Sequence, residues 1–434
     1  MTALALSPRP QLAERRRDTL LLLAVVVTAA AAGYLIVQDP LATAGVALIP
    51  LVLWLFTQRR VSIVLLALCI PLAQDVTRGR VGVNIALSDL LMMLLLASAA
   101  AEALARRQVA LLAGLGDLGG AVLQYLACMA VLLALHLSPG TLLKTGQRLE
   151  LLVVPIVVGA LIAQEGCERL FLRMYIVSAA ILSLAWPFIV SGDQGLGIQK
   201  NPAGQFIANA ILVLLAVPAV RNWAFLLLTP VLVLGLFLTE SRGAIVSVGA
   251  GLGALVVLQP GRSRLQLLLQ LPPLTAVTAL AFRLLPESTQ KRNTSFTTGT
   301  ATTAEYALKI RQQYRHDAWQ IIHAHPWSGV GVGQYHAGSM RLRTISTDPH
   351  QVLLFQAAEG GYLFAVSFVV LILGTVAALA RRVGSSSLAP AAAAVLLAIA
   401  VHGMFDVYWV RATPVLGWLL VGMAFSESRR DRRS

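Results

Sequence analysis

A chain of 434 residues that is 57% hydrophobic and only 12% charged is not a soluble globular protein, because a soluble domain of ordinary composition carries roughly 25% charged residues. The net charge of +14 does not point to nucleic acid. The arginines come in pairs and triplets between apolar runs, which is the pattern of short cytoplasmic loops rather than of one folded basic face.

Segment 19–37 holds one tyrosine and no charge, which is long and apolar enough to cross a bilayer. It follows Arg15-Arg16-Arg17 and no small-residue cleavage site closes it, so it reads as a retained first helix rather than a cleaved signal. Further apolar runs lie at 41–57, 61–75, 85–105, 118–137, 149–164, 169–190, 203–220, 223–239, 243–259, 265–283, 352–380, 388–408 and 412–426. That makes fourteen spans, or twelve if the short runs near 61–75 and 412–426 are discounted. The expectation is an all-α polytopic membrane protein, a bundle of 12–14 transmembrane helices with the lipid bilayer as its first partner. With the N-terminus in the cytoplasm, alternate loops hold Arg59-Arg60, Arg106-Arg107, Arg169, Arg221, Arg262, Arg264, Arg381-Arg382 and the tail arginines Arg429, Arg430, Arg432 and Arg433. The opposite loops are poorer in charge, with Arg78, Arg80, Lys144, Arg148, Lys200 and Arg411. Both termini then face the cytoplasm.

One long interruption divides the chain into a first bundle (1–283), an outer loop (284–350) and C-terminal helices with a basic tail (351–434). A loop of that size in a compact bundle is usually functional. Within it, 303–326 has helical periodicity: Tyr306, Ala307, Ile310, Tyr314 and Ile321 form an apolar stripe, with Arg311 and Arg315 four apart on another face. His325-Pro326 ends that helix, and the glycines of GVGVGQY permit an irregular backbone after it.

The outer loop also carries five of the seven histidines, and its basic residues outnumber its acids. A basic pocket at a membrane surface suits an anionic ligand whose tail lies in lipid, and arginine's planar fork matches phosphate oxygens. The plain alternative is a loop that only touches lipid headgroups. His316, His323 and His325 match no metal motif and there is no HExxH, so no metal is expected. The three cysteines, Cys69, Cys128 and Cys167, have neither metal nor disulfide spacing. In LTESRGA (238–244), Arg242 stands at the outer boundary of a span, a costly place for a charge unless it snorkels or serves. In DPHQVLLFQAAEGGYLF (348–364), His350 just precedes a span and Glu359 lies nine residues further in. A neutral histidine suits general-base work near pH 7, and an intramembrane glutamate needs a partner or a watered cavity. His402 and Asp406, four apart on one expected helix, read as a mutual structural clamp, and Asp89 as a structural intramembrane acid.

These segments together resemble the O-antigen ligase and O-antigen polymerase superfamily. TESRGA looks like that family's Thr-x-Ser-Arg-Gly element, RHDAWQIIHAHPWSGVGVGQY (315–335) like its Arg-x-x-x-Trp…His-Pro…Gly-x-Gly stretch, and PHQVLLFQAAEGG like its histidine element followed by glutamate and glycines. KNPAGQ (200–205) is similar to an Asn-Pro turn before a span. The sequence departs where the family has a further glycine after Gly361, since Phe364 stands there.

The resemblance implies a GT-C-like membrane glycosyltransferase acting on the periplasmic face of the bacterial inner membrane. Its donor would be a glycan on undecaprenyl pyrophosphate and its acceptor a sugar hydroxyl, on lipid A-core in a ligase. It also implies site residues: Arg242 and Arg315 at the departing pyrophosphate. Lys200 and Arg148, on neighbouring outer turns, and Arg311 are further candidate cations. His350 would be the base, its ring oriented by Gln351 or Asp348. A single displacement would invert the anomeric centre, and no metal or other cofactor is needed if arginines supply the positive charge. The loop's basic character favours a ligase with a phosphorylated lipid A-core acceptor. An O-antigen polymerase or a protein O-oligosaccharyltransferase shares the same donor chemistry. A transporter of lipid-linked glycans is the alternative of another class, but it would gather its polar residues near the bilayer midplane in repeated halves.

Overall fold

The computed structural model describes residues 40–72, 85–106, 116–191, 194–195, 198–220, 222–287, 289–290, 304–342, 347–409 and 412–430. The expected first span at 19–37, its preceding arginine cluster, Arg78, Arg80, Arg107, Arg221, Arg343, Arg411 and the last tail arginines lie outside the described residues.

The protein is an all-α, multi-pass membrane protein. Its helices are α1 (Pro40–Thr57), α2 (Arg59–Cys69), α3 (Leu87–Arg106), α4 (Gly116–Leu135), α5 (Pro139–Gln164), α6 (Glu168–Ile189), α7 (Lys200–Ala216), α8 (Trp223–Leu226), α9 (Thr229–Leu238), α10 (Arg242–Leu258), α11 (Gly261–Leu284), α12 (Ala304–Ala324), α13 (Tyr335–Arg341), α14 (Val352–Ala380), α15 (Ala389–His402) and α16 (Val415–Arg430). A small antiparallel sheet of two-residue strands, Val190–Ser191, Gln194–Gly195 and Ile198–Gln199, joins α6 to α7. Among the described residues six helices are long and apolar enough to cross a membrane. A seventh span arises if α1 and α2, bent by 109° at Gln58, count as one, and four shorter apolar helices accompany them.

Several expected spans have different bounds; the run at 388–408, for one, is helical only over Ala389–His402. The run at 149–164 begins ten residues earlier: Ser138 accepts the backbone N–H of Thr141 and caps α5, and Pro139 occupies its first turn. The run at 223–239 is two helices, α8 and α9, with Pro230 in the first turn of α9.

The bundle's outward surface is apolar, with Phe188, Leu104, Val257 and Leu284 among its most exposed side chains. Such exposure is disallowed by water and required by lipid. Inside, small residues bring helices together. A Cβ at Gly159 of α5 would collide with the backbone of Leu419 in α16, and one at Gly422 of α16 with that of Ile156. This is the close contact through small residues on which membrane helices rely. Buried polar groups are tied to one another. Gln205 donates to Asn209 (2.7 Å) and accepts from Ser247 (3.1 Å), joining α7 to α10. At one end of the bundle Arg59 donates to Ser98 and pairs with Glu102 and Glu165, clamping α2 to α3 and to the end of α5. Asp89 accepts the backbone N–H of Ala86 at 2.8 Å, which anchors the start of α3.

α12 and α13 are the helices of the described part of the outer loop. They bury Ala318, Ile321, Ile322 and Tyr335 against Ala357 and Ala358 at the start of α14, so Ile321 of the expected apolar stripe faces the bundle.

Candidate active site

His350 sits in the turn that enters α14, with a φ of +50°. A histidine in the left-handed region is uncommon, and such conformations persist only where the surroundings impose them. Three contacts impose this one. Its backbone N–H donates to Oδ1 of Asp348 at 2.6 Å. Its Nδ1 lies 2.9 Å from Oδ1 of Asp406. Its ring stacks on Tyr314 of α12, with centroids 6.4 Å apart and planes 6° from parallel.

Asp406 was expected to share a helix with His402 and to bond it. Instead α15 stops at His402, and Asp406 stands in the following turn facing His350. Burial alone would raise its pKa, but the hydrogen bond from His350 and the nearby His402 and His350 outweigh burial, and the carboxyl is held below its ordinary range. An ionised carboxylate only accepts, so Nδ1 of His350 must donate to it. The neutral ring then presents a bare lone pair at Nε2, and Nε2 has no partner among the described residues. His350 is half-buried, its side chain 25% exposed against 8% for Asp406.

The two residues expected to orient the ring do other work. Gln351 caps α14 by accepting the backbone N–H of Leu354. Asp348 holds the main chain of His350 rather than its ring, and burial pushes the Asp348 carboxyl up to about 7.

The arginine element builds a second wall. α9 ends with Thr239 hydrogen-bonded to the carbonyl of Leu236, Glu240 turns the chain at φ +53°, and Arg242 opens α10. Ser241, the residue before α10, gives it no side-chain cap, and its buried Oγ has no partner among the described residues. α7 packs directly onto this turn: a Cβ at Gly204 would lie 2.7 Å from Cβ of Ser241. That contact brings the KNPAGQ segment, with Lys200 at its head, beside TESRGA. Gly243 in turn packs on His402, where a Cβ would lie 3.1 Å from Cδ2, and on Phe405. His402 is buried, and neither ring nitrogen has a partner among the described residues. Gly403 accepts the backbone N–H of Val352 at 2.8 Å. The turn after α15 therefore touches Arg242's neighbour on one side and His350 on the other.

On α12, Arg315 is half-buried and its Nε has no partner among the described residues. Arg311 lies within electrostatic range of His402. The stack of Tyr314 on His350 brings this helix to the same rim.

Arg148 is placed differently from the expectation of an outer turn. It lies within α5, almost fully buried, and pairs with Glu359. Its guanidinium lies 5.3, 5.8 and 5.9 Å from the ring centroids of Phe355, Phe364 and Trp409. Phe364, where the resemblance leads one to expect glycine, thus forms part of this cage and stacks on Tyr125 at 5.2 Å.

The histidines of the outer loop are dispersed. His316 bonds Gln320 at 2.9 Å and His323 lies against Trp319. Among the described residues no three His, Cys, Asp or Glu side chains converge as a metal site would require. A cleft of about 530 Å³ opens at the other end of the bundle, lined by Arg59, Ser98, Glu102 and Glu165 and by none of the candidate site residues.

Residues 223–369 match a family model described as O-antigen ligase. That stretch contains Arg242, Arg311, Arg315, Asp348, His350 and Gln351, and ends before Asp406. No curated protein matches the chain.

Proposed function

We propose that this chain, whose residues 223–369 match the O-antigen ligase family model, moves a glycan from undecaprenyl pyrophosphate to a sugar hydroxyl of lipid A-core, on the periplasmic face of the inner membrane. The observation that carries this reading is the His350–Asp406 hydrogen bond of 2.9 Å, beside the arginine-bearing turn at the head of α10. A histidine with one nitrogen committed to a carboxylate and the other open is arranged to take a proton.

In the proposed step Nε2 of His350 takes the proton of the acceptor hydroxyl. The acceptor oxygen attacks the anomeric carbon, and the bond from that carbon to the pyrophosphate oxygen breaks. The electron pair leaves with undecaprenyl pyrophosphate, and the anomeric centre inverts. Asp406 holds the ring and balances the imidazolium as it forms. Charge growing on the leaving group is met by Arg242 and Arg315, with Arg311 and Lys200 further out. The uncapped N-terminus of α10 adds aligned backbone N–H groups, which favour an anion. Cations fixed where charge develops lower the barrier without reorganising, so this step needs no metal. Arg148, committed to Glu359, is left out of the pyrophosphate site. Asp348 and Gln351 shape the backbone around the base.

The test is to express the gene in a Gram-negative strain that lacks its own O-antigen ligase and to separate its lipopolysaccharide on a gel. Return of a ladder of capped lipopolysaccharide, lost again with His350→Ala, supports the ligase. A ladder only in a polymerase-deficient strain moves the acceptor to another lipid-linked repeat. Modification of a pilin-like protein instead moves it to a serine or threonine.

A further inference from the structure

The Arg148–Glu359 pair is almost fully buried, with side chains 5% and 0% exposed. Such a pair is seldom retained for stability alone, because desolvation offsets most of the attraction. Its second contact suggests its use. The Oε1 of Glu359 accepts the backbone N–H of Gly333 at 2.7 Å.

The surrounding backbone is built for this contact. α14 is unwound at Gly360 and Gly361, the latter at φ +73° and ψ −179°. In an unbroken helix the carbonyl of Ala358 would accept from Tyr362. Here it accepts from Val330 of the loop at 3.0 Å, while the N–H of Tyr362 donates to the carbonyl of Pro326 at 2.8 Å. The carbonyl of Glu359 accepts from Gly331 at 2.8 Å. The helix has exchanged its own hydrogen bonds for bonds to the loop. The α4–α5 turn holds the other side of the loop, His136 through the carbonyl of Ser328 (3.1 Å) and Thr141 through Gln334 (3.3 Å).

From Gly333 the contacts run on to the site. Tyr335, two residues later, packs edge-on against Phe355 at 5.7 Å, and Phe355 also faces Arg148. The hydroxyl of Tyr335 donates to the carbonyl of Tyr314 at 2.6 Å, and the ring of Tyr314 stacks on His350.

We propose that Arg148 and Glu359 are positioning residues, a buried latch that docks the 329–335 loop on the bundle and, through Tyr335 and Tyr314, holds the ring of His350 in line. The part concerning transfer rests on the proposed function; the docking part does not.

The test uses the full chain in lipid nanodiscs as wild type, Glu359→Gln, Tyr335→Phe and the double variant. Hydrogen exchange reads the loop amides, and initial rates read transfer from an undecaprenyl-pyrophosphate-linked glycan to lipid A-core. In Glu359→Gln, exchange over 329–335 is expected to rise about tenfold while the membrane helices stay protected, as local opening requires. Both single variants are expected to lower kcat by about tenfold with donor KM within about twofold, and the double to be little worse than either, because residues acting through one network are not additive. Unchanged exchange in Glu359→Gln overturns the latch, whether or not transfer is observed. Independent, multiplying losses, or a loss in KM alone, overturn the route through Tyr335. Tyr335→Phe keeps the ring packing, so that arm reads the route even if Glu359→Gln fails to fold.

Discussion

Asp406→Asn is the sharpest perturbation of the proposed base. Asparagine has nearly the same shape, so Nδ1 of His350, now 2.9 Å from Oδ1, keeps an acceptor. What is lost is the charge. A charge-assisted hydrogen bond contributes about 1.5–3 kcal/mol against roughly 0.5–1.5 for a neutral one, so the ground-state loss is about 1 kcal/mol. The transition state loses more, because the ring gains a proton there. Two unit charges about 4 Å apart attract by about 4 kcal/mol at the effective dielectric of a protein site. A net penalty of roughly 2–4 kcal/mol corresponds to a fall in kcat of about 30- to 1000-fold. The donor KM is expected to stay within about threefold, because Asp406 is assigned no contact with the donor. The assay is the initial rate of transfer by purified protein in nanodiscs, with melting temperature as the folding control. A kcat within about threefold of wild type in a fully folded variant refutes the reasoning, since no general base loses its counter-charge so cheaply.

Arg242→Ala is expected to abolish capped lipopolysaccharide at unchanged protein level, a loss of at least about 100-fold for a cation at the leaving group; a normal ladder removes it from the site. Gly361→Ala places a side chain at φ +73° and 2.5 Å from the carbonyl of Pro326, which adds about 1–2 kcal/mol of backbone strain to a collision, so the yield of folded protein on size exclusion falls. Asp348, whose pKa is pushed up to about 7 by burial, binds its proton more tightly in the folded chain than in the unfolded one. Its contribution therefore favours folding at low pH and fades as pH rises from about 4 to 7. Asp348→Asn should reduce the drop in melting temperature between pH 5 and 7.5, and an unaltered drop counts against this account of Asp348.

Membrane helices are legible in a sequence because lipid demands long apolar runs, and almost every described helix lies where such a run lies. Pro139 and Ser138 mark the true start of α5, but the polar stretch after them, with Lys144 and Arg148, hid ten residues of helix that packing against the loop and α14 sustains. The residue types of the proposed site were legible as well: His350, Arg242 and Arg315 stand out as charges and a histidine at boundaries. Their pairings were not. Glu359 and Asp406 each needed a partner, and the sequence offered Arg148 and His350 without saying which went to which. His402 drew Asp406 by its spacing of four, a rule that holds only while the helix continues. Gly403 begins a turn that points Asp406 elsewhere. The double glycine at 360–361 was visible, but not that its broken hydrogen bonds would be passed to a loop some thirty residues earlier in the chain.

The central claim is that His350 removes the acceptor's proton as the glycan leaves undecaprenyl pyrophosphate. It is tested most directly with purified protein in nanodiscs, a defined undecaprenyl-pyrophosphate glycan and lipid A-core, measuring glycosylated lipid A-core and released undecaprenyl pyrophosphate together. The account predicts that the two products form in equal amounts with wild type and that neither forms with folded His350→Ala. Equal turnover by His350→Ala, or release of undecaprenyl pyrophosphate with no glycan on the acceptor, would contradict it.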